Sequence, residues 1–396
     1  MYGLRSSGSA AYLILILAIQ GLAQRSPVED AWNLLAKGQR QQAISLLHDM
    51  IRANPADADA RLLLGSVLME QGARAESILQ LKEAVRLRPQ SAEAQNALGE
   101  ALNNFGDPKE ARVPFEKAVQ LDPGFGQTRV NLGLVLLEAG DFHAAAIQLD
   151  RAIELLDSKQ DAAYPLYLRA KIYAQQSDFE KATKELQTAV SLQPDLAEAW
   201  SDLGQARKML LDDTGALDAF ERAVKLNPND AVAQYRLGAE CLQQNKLKDA
   251  IAHLEEAARK KPTDQSALNS LQMALRQDGR LEEAARIKAQ LAQLLRDRDR
   301  ATQNLLKAIE INNQGAQLEK AGKLNEALEK YKSALDLAPD HVGIRTNYAV
   351  ALLHLGRFSE GIAQLQEAIR RDPDNQALKD ALEKAQAQLA KRPGSE

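Results

Sequence analysis

The side chains in this sequence that could ligate a metal or attack an electrophile are few and scattered. There are five histidines, His48, His143, His253, His341 and His354. No two of them stand four apart and no His-Glu-x-x-His run exists, so the helical pairing that holds a catalytic zinc is missing. Cys241 is the only cysteine, which excludes an intramolecular disulfide and a cysteine-built structural zinc site. It stands among apolar positions and reads as a small buried hydrophobe. Gly124-Phe125-Gly126 follows Pro123 and no strand, so it is not a phosphate cradle, and neither a Walker motif nor a G-x-S-x-G elbow occurs. Asp57 and Asp59 lack the glycine and terminal glutamate of a calcium loop. The sequence therefore assigns no catalytic residue, cofactor or metal ligand, and the chain reads as non-enzymatic.

What recurs instead is a spacing. Pro55, Pro89 and Pro123 stand 34 residues apart, as do Pro194, Pro228 and Pro262, and Pro339 and Pro373. Proline lacks an N–H and clashes with the preceding turn, so each marks the end of a helix. Asp57, Ser91 and Asp264 follow as candidate caps of the next helix. A second break falls inside each unit, at Gln71-Gly72, Phe105-Gly106-Asp107-Pro108, Ala139-Gly140-Asp141, Ala321-Gly322-Lys323 and Leu355-Gly356-Arg357. Glycine there suits the left-handed position after a helix, and Pro108 suits the first turn of the next. Pro114 falls inside a predicted helix and predicts a kink. Helix formers dominate the composition and alternating β-branched runs are missing, so the expected fold is all-α, two helices per 34 residues.

Ten units result: 24–57, 58–91, 92–125, 126–159, 163–196, 197–230, 231–264, 265–298, 308–341 and 342–375. The eighth is degenerate, with Gln272 after Leu271 and Lys288 at a bulky apolar place. Its second helix is expected to run on through a connector at 299–307. Residues 376–396 supply a closing helix and a tail. Because one such unit cannot bury its own apolar face, stability must come from stacking on its neighbours.

Net charge is −4 with both signs interspersed and the pI near 5.9, which disfavours nucleic acid as a partner. The alternating run Arg296–Arg300 reads as a solvated helix face. At the N-terminus, Arg5, the apolar run Ala10–Ile19 and small residues at Gly21 and Ala23 form a signal-peptide pattern over 1–23. The apolar run is shorter than the ~20 residues of a bilayer span, so the expectation is export to the periplasm or beyond, with no stable membrane span after cleavage.

The residues that carry a family likeness are Trp200-x2-Leu203-Gly204, Ala216-x3-Phe220, Ala223 and Pro228. With their counterparts at the same period, these resemble the tetratricopeptide (TPR) repeat over nearly all of 24–375. Arg207 departs from the pattern, standing where an aromatic is expected. The resemblance implies a right-handed superhelical solenoid whose first helices line a concave groove for a peptide or protein segment. The lysine-rich two-carboxylate clamp of some members is not found. Asn96, Asn131 and Asn347 resemble the asparagine ladders of others, such as the repeats of O-linked N-acetylglucosamine transferase, but no catalytic domain follows here.

Projecting the first helices onto the implied groove selects Asn96, Glu100, Asn103, Asn131, Tyr164, Tyr167, Lys171, Gln205, Lys208, Tyr235 and Arg236. Three tyrosines and three basic residues cluster in units five to seven, and tyrosine and arginine are enriched at binding hot spots. The expectation is a scaffold that binds a segment carrying acidic and apolar residues, possible roles being envelope or secretion-machinery assembly. A self-associating subunit, or an accessory factor regulating an enzyme, is the alternative class. The sequence leaves the partner and the oligomeric state open.

Overall fold

A computed structural model describes residues 27–106, 108–156, 158–372 and 375–390. The predicted signal segment 1–23, Asp107, Pro373 and the tail from 391 lie outside the described residues. Among the described residues there are twenty helices and no strand.

The chain divides into two units. In the first, which ends at Asp195, Pro27–Ala36 pairs with Arg40–Ala53, Ala58–Glu70 with Arg74–Leu87, and Ala92–Phe105 with Pro108–Leu121. Gly126–Glu138 then pairs with Phe142–Leu155, and Ala163–Gln175 with Phe179–Leu192. In the second, Ala197–Met209 pairs with Asp213–Leu226 and Ala231–Gln243 with Leu247–Lys260. Gln265–Gln277 pairs with the start of the long helix Leu281–Lys320, whose end pairs with Leu324–Leu337. Val342–His354 pairs with Phe358–Arg371, and Gln376–Ala390 closes the unit by burying Leu378 and Ala385 against Ala349, Leu365 and Ala368. Within each unit a hairpin packs on the next, and successive first helices also touch.

In most repeats a small residue of the first helix meets a large one sixteen residues later; the eighth, with Gln272 and Lys288 at those places, does not share this pattern. A Cβ on Gly65 would lie 2.5 Å from Leu81, one on Gly99 2.6 Å from Phe115, and one on Gly204 2.5 Å from Phe220. These distances are well inside carbon–carbon contact, so the helices approach only because no side chain stands there. Asp57, Ser91 and Asp264 do cap their helices, accepting from Ala60, Ala94 and Ala267 N–H groups at 3.0, 3.1 and 3.2 Å. Gly72 takes the left-handed conformation, φ +77°. Gly106 does not: its φ is −97°, because Pro108 begins the next helix almost at once and the turn has a different shape. Ser177, Leu211 and Asn245 occupy the left-handed position in three turns that lack glycine. The helix Pro108–Leu121 runs on through the buried Pro114.

The 40-residue helix Leu281–Lys320 combines the second helix of the eighth repeat, the connector and the first helix of the ninth. No proline interrupts this stretch, and its one glycine, Gly315, is buried by packing. With nothing to terminate it, the helix propagates.

An arginine clasp recurs that the sequence reading missed. Arg61 donates to the Pro55 carbonyl at 3.0 and 2.8 Å and to Gln80 at 2.8 Å. Arg129 does the same to Pro123, at 3.1 and 2.9 Å, and to Gln148 at 2.7 Å. Arg345 reaches Pro339 and Gln364. Each arginine stands six residues after its proline, so the turn that ends one hairpin is pinned to the hairpin that follows.

Candidate protein-docking face

The selected residues fall in both units, and each set is described by itself. In the first unit Asn96, Glu100 and Asn131 come together. Asn96 and Asn131 belong to neighbouring first helices, and both donate to the same carboxylate oxygen, Glu100 Oε1, at 2.9 and 3.0 Å. Asn131 also donates to Asn96 at 3.4 Å. Both asparagines are buried, whereas Glu100 is half-buried. Burial pushes the Glu100 carboxyl above its ordinary value of 4.5, against the two asparagine hydrogen bonds, which pull it down. Among the described residues Oε2 accepts no hydrogen bond and no cation pairs with it. Asn103, one turn further along, is half-buried and does not join this trio.

On the first helix of the fifth repeat, the Tyr164 and Tyr167 rings lie 5.9 Å apart and the Lys171 ammonium stands 5.6 Å from the Tyr167 ring centre. Tyr164 is half-exposed, but Tyr167 is buried and belongs to the packed interior, which corrects its selection as an accessible groove residue. At 3.6 residues per turn Tyr167 stands about 60° round the axis from Tyr164, which turns it from the half-exposed edge of the helix into the packed side.

In the second unit the basic residues are already engaged. Lys208 pairs with Glu240 and donates to Gln243 at 2.6 Å. Glu240 is 0% exposed, so this pair is interior support. Arg236 donates to Ser201 and Asp202, both at 2.8 Å. Tyr235 leans on the cluster around Leu237 and Cys241, and Gln205 is half-buried. Of the basic residues expected to be open to an acidic segment, Lys208 and Arg236 are instead paired with carboxylates of neighbouring repeats. Glu240 and Asp202 were missed, although their spacings of 32 and 34 from Lys208 and Arg236 place them one repeat away. Asn347 accepts the same logic: it donates to Asn312, 35 residues earlier, at 2.9 Å. Arg207, the residue standing in for an aromatic, donates instead to the Gly215 carbonyl at 3.0 Å and ties the two helices of its hairpin.

The groups considered first for chemistry have structural roles. Burial pushes the Cys241 thiol up to about 11, so it stays protonated and inert. His341 caps a helix by accepting from the Ile344 N–H, and His253 contacts Gln234 at 2.8 Å. Among the described residues no group of three His, Cys, Asp or Glu could hold a metal ion, and no helix is long and apolar enough to cross a membrane.

Stacked two-helix hairpins with small-to-large interlocks and no strand among the described residues define an all-α repeat solenoid. Tetratricopeptide repeat models match residues 34–101 and 318–389, residues 130–182, 214–265 and 235–304, and residues 92–125, and a TPR repeat model matches 170–210. The chain belongs to the tetratricopeptide repeat family. It is 31% identical over 97 residues to a peroxisomal targeting signal receptor of Candida albicans, covering 24% of this chain and 16% of that one. It is 31% identical over 203 residues to Protein FlbA of Caulobacter vibrioides, covering 51% and 32%. The chain thus spans less than a third of the length of these curated relatives. A solved tetratricopeptide repeat protein from Parabacteroides merdae superposes with a TM-score of 0.50 at 14% identity, over 63% of this chain and 97% of that one, a likeness of fold alone.

Proposed function

We propose that this chain is a non-enzymatic scaffold that docks a peptide or protein segment on its first-helix face, with Glu100 as an anchor. The observation that supports this is the half-buried carboxylate whose Oε1 is held by two asparagines while Oε2 has no donor among the described residues. A carboxylate kept partly out of water without a counter-charge is costly, and a ligand that supplies a donor relieves that cost. The fitting partner offers N–H groups of an extended backbone or a lysine or arginine side chain, and the half-exposed Tyr164 adds an apolar contact. Binding of a peptide array that varies basic, acidic and apolar content tests this. Glu100→Gln is expected to weaken basic segments selectively, because it keeps the shape and removes the charge. Unchanged binding in that variant, with loss in Tyr235→Ala/Arg236→Ala, would move the site to the second unit.

The N-terminal pattern supports export with cleavage before Gln24, and a role in assembling envelope or secretion machinery is the process we assign to it. N-terminal sequencing of the exported protein is expected to begin at Gln24. Exported protein that retains Met1–Ala23 would refute cleavage.

A further inference from the structure

The helix Leu281–Lys320 carries a stripe of apolar residues, interrupted at its centre by Arg298 and Thr302, that its own hairpins leave uncovered beyond Leu291. Its first part buries Ala284 and Leu291, with Ala284 joining the cluster around Leu271 and Leu275. Its last part buries Ala308 against Ala334 and Ile344, and Gly315 against Tyr331. At 3.6 residues per turn, Leu291 and Ala308 point about 100° apart around the axis. The stripe begun at Leu291 therefore continues outside the second contact. Leu291, Leu295, Arg298, Thr302, Leu305 and Ile309 are spaced alternately four and three apart, the spacing of a coiled-coil seam. Between 293 and 307 every residue is exposed except the half-buried Leu294 and Asn304. Leu295, Leu305 and Ile309 are each 38% exposed and the flanking Leu306 is 64% exposed.

Both the uncovered window and the seam are centred on Arg300. Read outward from it, Leu295 mirrors Leu305, Leu294 mirrors Leu306, Ala292 mirrors Ala308 and Leu291 mirrors Ile309. A self-complementary two-fold contact between antiparallel helices demands this mirror order, because each residue must meet its mirror position on the other copy. Charge fits the same arrangement. Arg298, Asp299 and Arg300 have no ion-pair partner among the described residues. In a reversed copy, Asp299 of each helix stands one residue from Arg300 and about one helical turn from Arg298 of the other.

We infer that two copies of this chain pair through residues 293–307, antiparallel about Arg300. The exposed window is roughly 22 Å long at 1.5 Å per residue. The contact therefore falls at the small end, below about 1,200 Å², and the dimer is weak and concentration-dependent.

The test is sedimentation of the full chain over a concentration series, paired with cysteine cross-linking. The parent is expected to shift from monomer to dimer as concentration rises. Leu295→Lys/Leu305→Lys should weaken that shift by about tenfold or more with unchanged helical circular dichroism. The double variant Leu295→Cys/Leu305→Cys should form a disulfide-linked dimer on oxidation. Leu305→Cys alone should not, because its two copies would be ten residues, roughly 15 Å, apart along the pair, beyond the span of a disulfide. Native Cys241 is buried and supplies no background. A chain that stays monomeric throughout assigns the stripe to another protein and overturns the inference. So does association indifferent to the lysine pair, or cross-linking as efficient through the single cysteine as through two.

Discussion

Replacing Gly204 with alanine sets two known effects against each other. In a solvated helix interior, glycine to alanine gains about 1 kcal/mol. Here the new Cβ would lie 2.5 and 2.6 Å from Cε1 and Cδ1 of Phe220. Ordinary contact is about 3.5–4.0 Å, so the ring must retreat by roughly 1 Å. Phe220 is 1% exposed and packs in the cluster with Leu237 and Cys241 of the next repeat, so the retreat pushes on a filled interior. Overpacking of that kind costs about 1–3 kcal/mol. The net expectation is a loss of about 0–2 kcal/mol. Urea unfolding followed by the fluorescence of Trp200, four residues away on the same helix, in a Trp32→Phe background reads it. Because a repeat array can unfold in parts, hydrogen exchange of Ala197–Met209 should show the same loss locally. The decisive comparison is a cycle with Phe220→Ala. With the ring gone, Gly204→Ala should become neutral or stabilising, a coupling of about 2 kcal/mol between the two sites. If Gly204→Ala stabilised the parent chain, as at an open helix site, the close approach of these two helices would be refuted.

Three further outcomes are expected. Glu100→Gln should raise stability at neutral pH: a carboxyl whose folded value lies above 4.5 stabilises the fold while protonated, and that contribution is lost as pH rises through the raised value. The variant's stability should accordingly vary less with pH above 4.5 than the parent's, and thermal melts across that window read it. Leu211, left-handed at φ +62° and 86% exposed, should yield about 0.5–1 kcal/mol on replacement by glycine, since a non-glycine residue pays roughly 1–2 kcal/mol there and glycine returns part of that as entropy. No change in urea midpoint would argue against that turn conformation. Arg129→Ala should cost about 1–3 kcal/mol by leaving the Pro123 carbonyl and Gln148 without their donor. Hydrogen exchange should then rise around the turn at Asp122–Phe125, and protection equal to the parent's would show the clasp to be idle.

The repeat was legible because its causes are local. Proline at intervals of 34, Asp57, Ser91 and Asp264 as caps, and glycine or alanine facing Leu81, Phe115 or Phe220 each act within one hairpin, so their order in the chain is their order in space. The absence of a turn signal between Gly279 and Gly322 likewise foretold a long helix. The proposed docking face was legible only as a set of positions. Which of those positions are open depends on groups one repeat away: Glu240 and Asp202 neutralise Lys208 and Arg236, packing takes Tyr167, and Asn96 and Asn131 converge on Glu100. A side chain's charge and polarity are written in the sequence, but its burial and its partner are set by stacking. That is why the hairpins could be read from the residues alone, while the asparagine-held carboxylate and the uncovered stripe emerged only when the hairpins were placed side by side.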